Sequence, residues 1–259
     1  MIRFSANLGF LWPELGLCDS IHAASQAGFD AVECHWPYDV PSDLLHAALT
    51  EAGIPMLVIN TRPGDLSVDE FGLTAVPGKQ QQARYFIDEA LDYAVQIQCR
   101  NTHVMAGKTD AGEIAQSTYI ENLNYACIEA SKRGVNVLIE PINNRDVPGY
   151  YLNTLDAAVE TLQAVNHENL KIMFDCYHIQ IMQGDIINRI KSCFNQIGHV
   201  QFASVPDRAE PDTGELDYFY IVNALKQMGY EGYLGAEYKP SGRTEDNLGW
   251  LYNLKKLNT

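Results

Sequence analysis

Hydrophobic positions along the chain fall into two alternating patterns. Short runs rich in Val, Ile and Leu read as strands buried on both faces, as in a parallel sheet wrapped by helices. They cover residues 2–8, 30–34, 54–60, 101–105, 135–140, 170–175, 197–203 and 232–238. Stretches of helical period lie between them, at 19–27, 42–52, 79–98, 114–133, 154–165, 178–183, 185–195 and 217–228, and a last helix closes the chain. Gly28, Gly53 and Gly134 stand where a helix end favours glycine. This alternation over 259 residues predicts an α/β fold, a (β/α)8 TIM barrel forming one domain over residues 1–259. An open doubly wound sheet is the rival, but it commonly has fewer strands and a Gly-rich first turn, and no G-x-G-x-x-G occurs. Residues 62–78 break the rhythm with Pro63, Gly64, Gly72, Pro77 and Gly78. That stretch predicts a long loop, with or without a small hairpin, acting as a solvated excursion or a lid.

The ends of the strands carry the chemistry. Val135 to Leu138 and Ile139 lead into Glu140, and Pro141 then keeps that glutamate extended. Asp175 closes strand six, Gln201 lies near the end of strand seven and Glu237 near the end of strand eight. In a barrel these four project toward one mouth, the face on which such folds place their active sites. Converging carboxylates repel and shift one another's pKa values. A divalent cation relieves this, and an all-oxygen set suits Mg2+ or Mn2+ better than zinc. The competing reading of any single acid is a cap on the next helix. His178, three residues past Asp175, and His199, two before Gln201, could each ligate a metal or bond a substrate oxygen. Arg208, with Asp207 and Glu210 beside it, could hold a substrate carboxylate or pair on the surface; Lys108 and Arg62 are alternatives for the same task. Phe10, Leu11 and Trp12 follow strand one as either a wall of the mouth or core.

Composition narrows the partners. With 33 acidic against 18 basic residues the net charge is −15, which disfavours a nucleic-acid surface. Gly107-Lys108-Thr109 superficially resembles a phosphate loop, but Thr102 stands where its first glycine is required, so no nucleotide cofactor is expected. The six cysteines form no C-x-x-C. No apolar run approaches the ~20 residues that cross a bilayer, and no secretory signal is visible, so the expectation is a cytoplasmic protein without membrane contact. A small-molecule partner, an oxo-acid or short sugar, remains, and a homo-oligomer stays open.

Several blocks resemble the hydroxypyruvate isomerase family of xylose-isomerase-like TIM barrels. They are residues 3–8 (RFSANL), 139–143 (IEPIN), 174–178 (FDCYH), 198–201 (GHVQ) and 235–240 (GAEYKP). Residues 211–215 (PDTGE) match the family's P-G-T-G-E loop with Asp212 replacing glycine. The resemblance spans nearly the whole chain. It implies a divalent cation held by Glu140, Asp175, Gln201 and Glu237, with Glu140 and Glu237 as acid and base. It also implies substrate contacts from His178 and Arg208. The implied reaction interconverts hydroxypyruvate, or a related short 2-oxo acid, with tartronate semialdehyde through an enediolate. A 2-oxo-tetronate isomerase, a ketose 3-epimerase and a non-catalytic metabolite-binding barrel are the alternatives. One departure concerns the substrate: Ala203-Ser204-Val205-Pro206 replaces the family's frequent Ala-Asp-Asn-Pro.

Overall fold

The structure is a computed structural model describing residues 2–258. Its strands are β1 (Arg3–Asn7), β2 (Ala31–Cys34), β3 (Met56–Asn60), β4 (Asn101–His103), β5 (Asn136–Ile139), β6 (Leu170–Asp175), β7 (Ile197–Phe202) and β8 (Tyr233–Ala236). All pair in parallel with their sequence neighbours, and β8 pairs back onto β1 to close the ring β1-β2-β3-β4-β5-β6-β7-β8. The intervening helices are α1 (Leu17–Gln26), α2 (Ser42–Ala52), α3 (Gln80–Gln96), α4 (Gly112–Arg133), α5 (Leu155–Val165), α6 (Cys176–Met182), α7 (Ile186–Cys193), α8 (Tyr218–Gln227) and α9 (Gly249–Lys255). The predicted (β/α)8 barrel is the observed fold.

Strand alternation sorts the side chains into two environments. Phe4, Ala6, Val200 and Phe202 face outward into the main core beneath the helices, where Phe4 meets Trp250 edge-on at 6.0 Å and Phe202 at 6.2 Å. Ser5, Asn7, His199 and Gln201 take the other face, and all are buried. Val58, Leu138 and Met173 form a small apolar cluster separate from the main core. Leu138 and Met173 stand two residues before Glu140 and Asp175, so this cluster floors the barrel below the acids. Among the described residues no helix is long and apolar enough to cross a membrane.

Residues 62–78 are a long loop, as expected, but not a hairpin. They hold one 3-10 turn at Leu66–Val68 and an isolated antiparallel bridge from Gly72 to Ala106, just past β4. Gly72 has φ +97, and a Cβ there would lie 2.8 Å from the Gly107 nitrogen. Only glycine allows that close approach, which clamps the loop over strands β3 and β4.

Candidate active site

Glu140 lies one residue past β5, and Asp175 ends β6. Gln201 pairs in register with Asp175 on β7, and Glu237 lies one residue past β8. Their exposures are 5%, 0%, 2% and 5%, so none is a solvated surface group. Glu140, Asp175, Glu237 and His178 each offer an atom within 4.8 Å of the others.

Asp175 shows how two readings of a strand-end acid can both hold. Its Oδ1 accepts from the Tyr177 backbone N–H at 2.8 Å and caps α6, while its Oδ2 has no hydrogen-bond partner among the described residues. Glu140 Oε1 and Gln201 Oε1 are likewise buried without a partner. Gln201 Nε2 donates to Glu33 Oε1 at 2.8 Å, which fixes the amide and leaves its oxygen as the free end. Stranding a buried acceptor costs about 1–3 kcal/mol. Three stranded oxygens on three successive elements are chemically suited to a hard divalent cation.

The neighbouring charges divide the acids. Burial, then Glu237 and Asp175, pushes Glu140 well above the usual carboxylate range. Burial, then Glu237, raises Asp175 to about 8. For Glu237 burial acts upward too, but the Arg208 guanidinium and His35 outweigh it and hold the group at about 2. Its Oε2 accepts from Arg208 Nη2 at 2.8 Å, and its Oε1 meets Asn7 Nδ2 at 3.0 Å and His35 Nε2 at 2.9 Å.

His178 is inside α6 and 2% exposed, with Nε2 3.5 Å from Asp175 Oδ2 and 3.7 Å from Glu140 Oε1. Its tautomer follows from Asn143. The Asn143 Oδ1 accepts from the Asp146 N–H at 2.8 Å, so its Nδ2 is the end that faces His178 Nδ1 at 2.6 Å. The Asn143 backbone N–H also donates to Nδ1, at 3.3 Å. With Nδ1 accepting and burial, then Arg208, lowering the imidazole to about 3, the ring is neutral and its proton is assigned to Nε2. In that form Nε2 is a hydrogen-bond donor with no lone pair for a cation, which leaves the oxygens of Glu140, Asp175 and Gln201 as the candidate ligands.

Arg208 is placed by its backbone. It adopts φ +53, in the left-handed region uncommon for a side-chain-bearing residue, and its carbonyl accepts from the Lys239 N–H at 2.7 Å. The guanidinium lies 4.8 Å from the Phe10 ring and 5.0 Å from the Tyr177 ring.

A cavity of about 250 Å³ opens over Glu140 and Glu237, which line it, while Asp175 and Gln201 are not among its lining residues. Of the expected substrate contacts, His178 and Arg208 line it, whereas Lys108 and Glu210 do not. Lys108 Nζ bonds Asp69 on the long loop. Glu210 Oε1 accepts from the Ser241 N–H at 2.8 Å and Oγ at 3.0 Å, tying the loops after β7 and β8 together. Arg62 is held by Glu89 at 2.7 Å. Phe10 is wall, while Leu11 and Trp12 are core. His199 sits below the cavity against Glu33.

Several residues of this neighbourhood are not among the sequence candidates. Asn7 and His35 hold Glu237, His103 lines the cavity beside Glu140, and Trp36 and Phe71 form its apolar side. Glu33, inside the predicted strand 30–34, is the hub beneath them. It accepts from Ser5 Oγ at 3.2 Å, Asn7 Nδ2 at 3.3 Å and Gln201 Nε2, and bonds His199 Nε2. A Cβ at Gly235 would come within 2.5 Å of Glu33 Oε1, so glycine there makes the room. The signal available in the sequence is polar residues interrupting buried strands at spacing two: Ser5 and Asn7, Glu33 and His35.

Comparison with known proteins identifies the family. The sequence pattern of the xylose isomerase-like TIM barrel family matches residues 21–254. The chain is 44% identical to a 2-oxo-tetronate isomerase of Cupriavidus necator, over 97% of this chain and 98% of that protein. It is 43% identical to a putative hydroxypyruvate isomerase of Xenopus laevis, over 96% of this chain and 94% of that one. A crystal structure described as an AP endonuclease, family 2, from Brucella melitensis superposes with TM-score 0.95 at 39% identity, covering 98% of this chain and 99% of that chain. The chain belongs to the xylose isomerase-like TIM barrel family.

Proposed function

We propose that this protein is a divalent-cation-dependent isomerase that moves a carbonyl between adjacent carbons of a short 2-oxo hydroxy acid. Hydroxypyruvate and its four-carbon homologue, a 2-oxo-tetronate, are the substrates in view. The observation that carries the reading is three buried, partnerless oxygens, from Glu140, Asp175 and Gln201, at or beside the ends of three successive strands, with Glu140 lining the cavity. The names of the relatives, 2-oxo-tetronate isomerase and putative hydroxypyruvate isomerase, support the reaction class.

Glu140, Asp175, Gln201 and Glu237 would hold Mg2+ or Mn2+, which an oxygen set favours over zinc. Bound there, the cation would polarise the substrate carbonyl and acidify the neighbouring C–H. The protein's own groups do the rest. Glu140 and Glu237 follow β5 and β8, three strands apart around the ring, and so flank the reacting carbons from different sides. One takes the proton from carbon and the other returns a proton at the adjacent carbon. His178 donates from Nε2 to a substrate oxygen. Arg208, charged and seated between two rings, holds the carboxylate. Phe10, Trp36 and Phe71 exclude water from the reacting atoms. A net charge of −15 and a small cavity fit a metabolite better than a nucleic acid.

The test is proton exchange followed by NMR in D2O, with protein stripped by EDTA and reloaded with Mg2+ or Mn2+. Deuterium should enter hydroxypyruvate or the four-carbon acid with the reloaded protein and not with the stripped one. Absence of exchange from every short oxo-acid and ketose, with metal supplied, overturns the proposal.

A further inference from the structure

His103 ends β4 on the inward face, is 1% exposed and lines the cavity. Neither ring nitrogen has a hydrogen-bond partner among the described residues. The nearest acid, Glu140, leaves 3.6 Å between Oε2 and Nδ1, too long for a bond. Buried polar groups in folded proteins are nearly always satisfied, and an imidazole orphaned at both nitrogens is an exception that calls for a partner from outside the chain. Trp36, which also lines the cavity, has an indole Nε1 that is likewise buried and partnerless.

The position of His103 in the ring gives that partner a chemistry. β4 stands four strands from β8, so His103 faces Glu237 and the adjoining Arg208 across the mouth. The Arg208 side offers a cation to a carboxylate. The opposite side, at His103, offers a neutral group. A neutral imidazole presents one donor and one acceptor, and a hydroxyl is the group that can use both; a carboxylate or carbonyl uses only the donor. A three-carbon acid with its carboxylate at Arg208 and its two reacting carbons over the acids has no group left for His103. A four-carbon acid has one, the terminal hydroxyl.

We infer that His103 binds the hydroxyl beyond the reacting carbons and selects a four-carbon 2-oxo-3,4-dihydroxy acid over the three-carbon homologue. This rests on the isomerase reading above for its substrates, but not for its binding test.

Two variants remove both nitrogens: His103→Phe keeps a flat ring, and His103→Leu serves if the phenyl ring does not pack. The wild-type protein should show the higher kcat/KM with the four-carbon acid. Either variant should lose roughly tenfold on that acid, the value of one well-made hydrogen bond, and less than about threefold on hydroxypyruvate. The retained hydroxypyruvate turnover reports that the variant is folded and its acids intact. In parallel, the Kd values of two unreactive acids, 2,3,4-trihydroxybutanoate and glycerate, are measured by competition or thermal shift; the wild-type preference for the longer acid should collapse in the variants. Equal losses on both acids, or an unchanged preference in both assays, overturn the inference. If the wild type turns over neither acid, the isomerase reading fails, and the ratio of the two Kd values decides the role of His103 alone.

Discussion

The barrel contains two buried carboxylate neighbourhoods, both touched by Gln201 or its strand neighbour Asp175, and they are built oppositely. Around Glu33 every oxygen is used: Ser5, Asn7, Gln201 and His199 all bond it. Around Glu140 and Asp175, equally buried, at least one oxygen of each is left over, and the Gln201 oxygen is left over with them. Burial alone does not distinguish these acids. What separates them is whether the protein itself satisfies the lone pairs, because an unsatisfied buried acceptor is stabilised only by something the chain does not supply. Gln201 belongs to both, with its amide nitrogen spent on Glu33 and its oxygen left without a partner.

The contrast predicts opposite responses to mutation. Glu140→Gln and Glu237→Gln should each cut turnover by about two to four orders of magnitude. The melting temperature of the metal-free Glu140→Gln protein should stay level or rise, because one member of a repelling cluster is neutralised. Glu33→Ala should do the reverse to stability. It strands the donors that converge on Glu33 and costs about 3–5 kcal/mol, roughly 10 °C for a chain of this size. Calorimetry of the three variants beside their kinetics settles it. A Glu140→Gln protein that melts as early as Glu33→Ala would break the distinction.

Proton and metal linkage sharpen the same difference at lower amplitude. Asp175 stands at about 8 when folded, against ~3.9 in an unfolded chain. The folded state therefore holds its proton the more tightly. The contribution of this group is fully present below about pH 4 and is lost as pH rises through 8. The metal-free wild type should thus lose stability relative to Asp175→Asn across that window. Mn2+ at a hundredfold excess over its Kd should return about 2.7 kcal/mol to the wild type at pH 8 and little to the variant. Melting temperatures of both proteins at pH 5 and pH 8, with and without Mn2+, give the readout. A pH-independent difference, or equal stabilisation of both proteins by Mn2+, would remove Glu140 and Asp175 as the cation's ligands.

Much of this is legible in the sequence, and the illegible part has a common cause. Each barrel strand is buried on both faces, so its apolar run is conspicuous and a terminal acid such as Glu140 or Asp175 stands out against it. Strand ends are blurred by a residue or two: Glu237 belongs to the predicted strand but lies one residue past β8. Partnership across the ring is what the chain order conceals. That Glu33 collects donors from β1 and β7, or that His103 finds none, depends on which strands become neighbours and how far each side chain reaches. Lys108 illustrates the same limit on the outside of the site. Its position after β4 is right for a substrate contact, but Asp69, folded across from the long loop, takes its ammonium.

That last pair supplies the smallest expected effect and a control for the larger ones. The Asp69 side chain is 84% exposed, and an ion pair with one partner so open to water contributes about 0–1 kcal/mol. Lys108→Met should therefore shift stability by no more than that and leave KM for either oxo-acid within about twofold. Arg208→Met should raise KM at least tenfold, because it removes a guanidinium that lines the cavity beside Glu237. Comparing the two at low and moderate salt adds a check. The Lys108–Asp69 contribution should fade with ionic strength, while the Arg208 effect, within a site 13% exposed at the side chain, should persist. A tenfold rise in KM for Lys108→Met would mean that the long loop releases the lysine into the cavity when substrate binds, and Lys108 would then join Arg208 as a carboxylate contact.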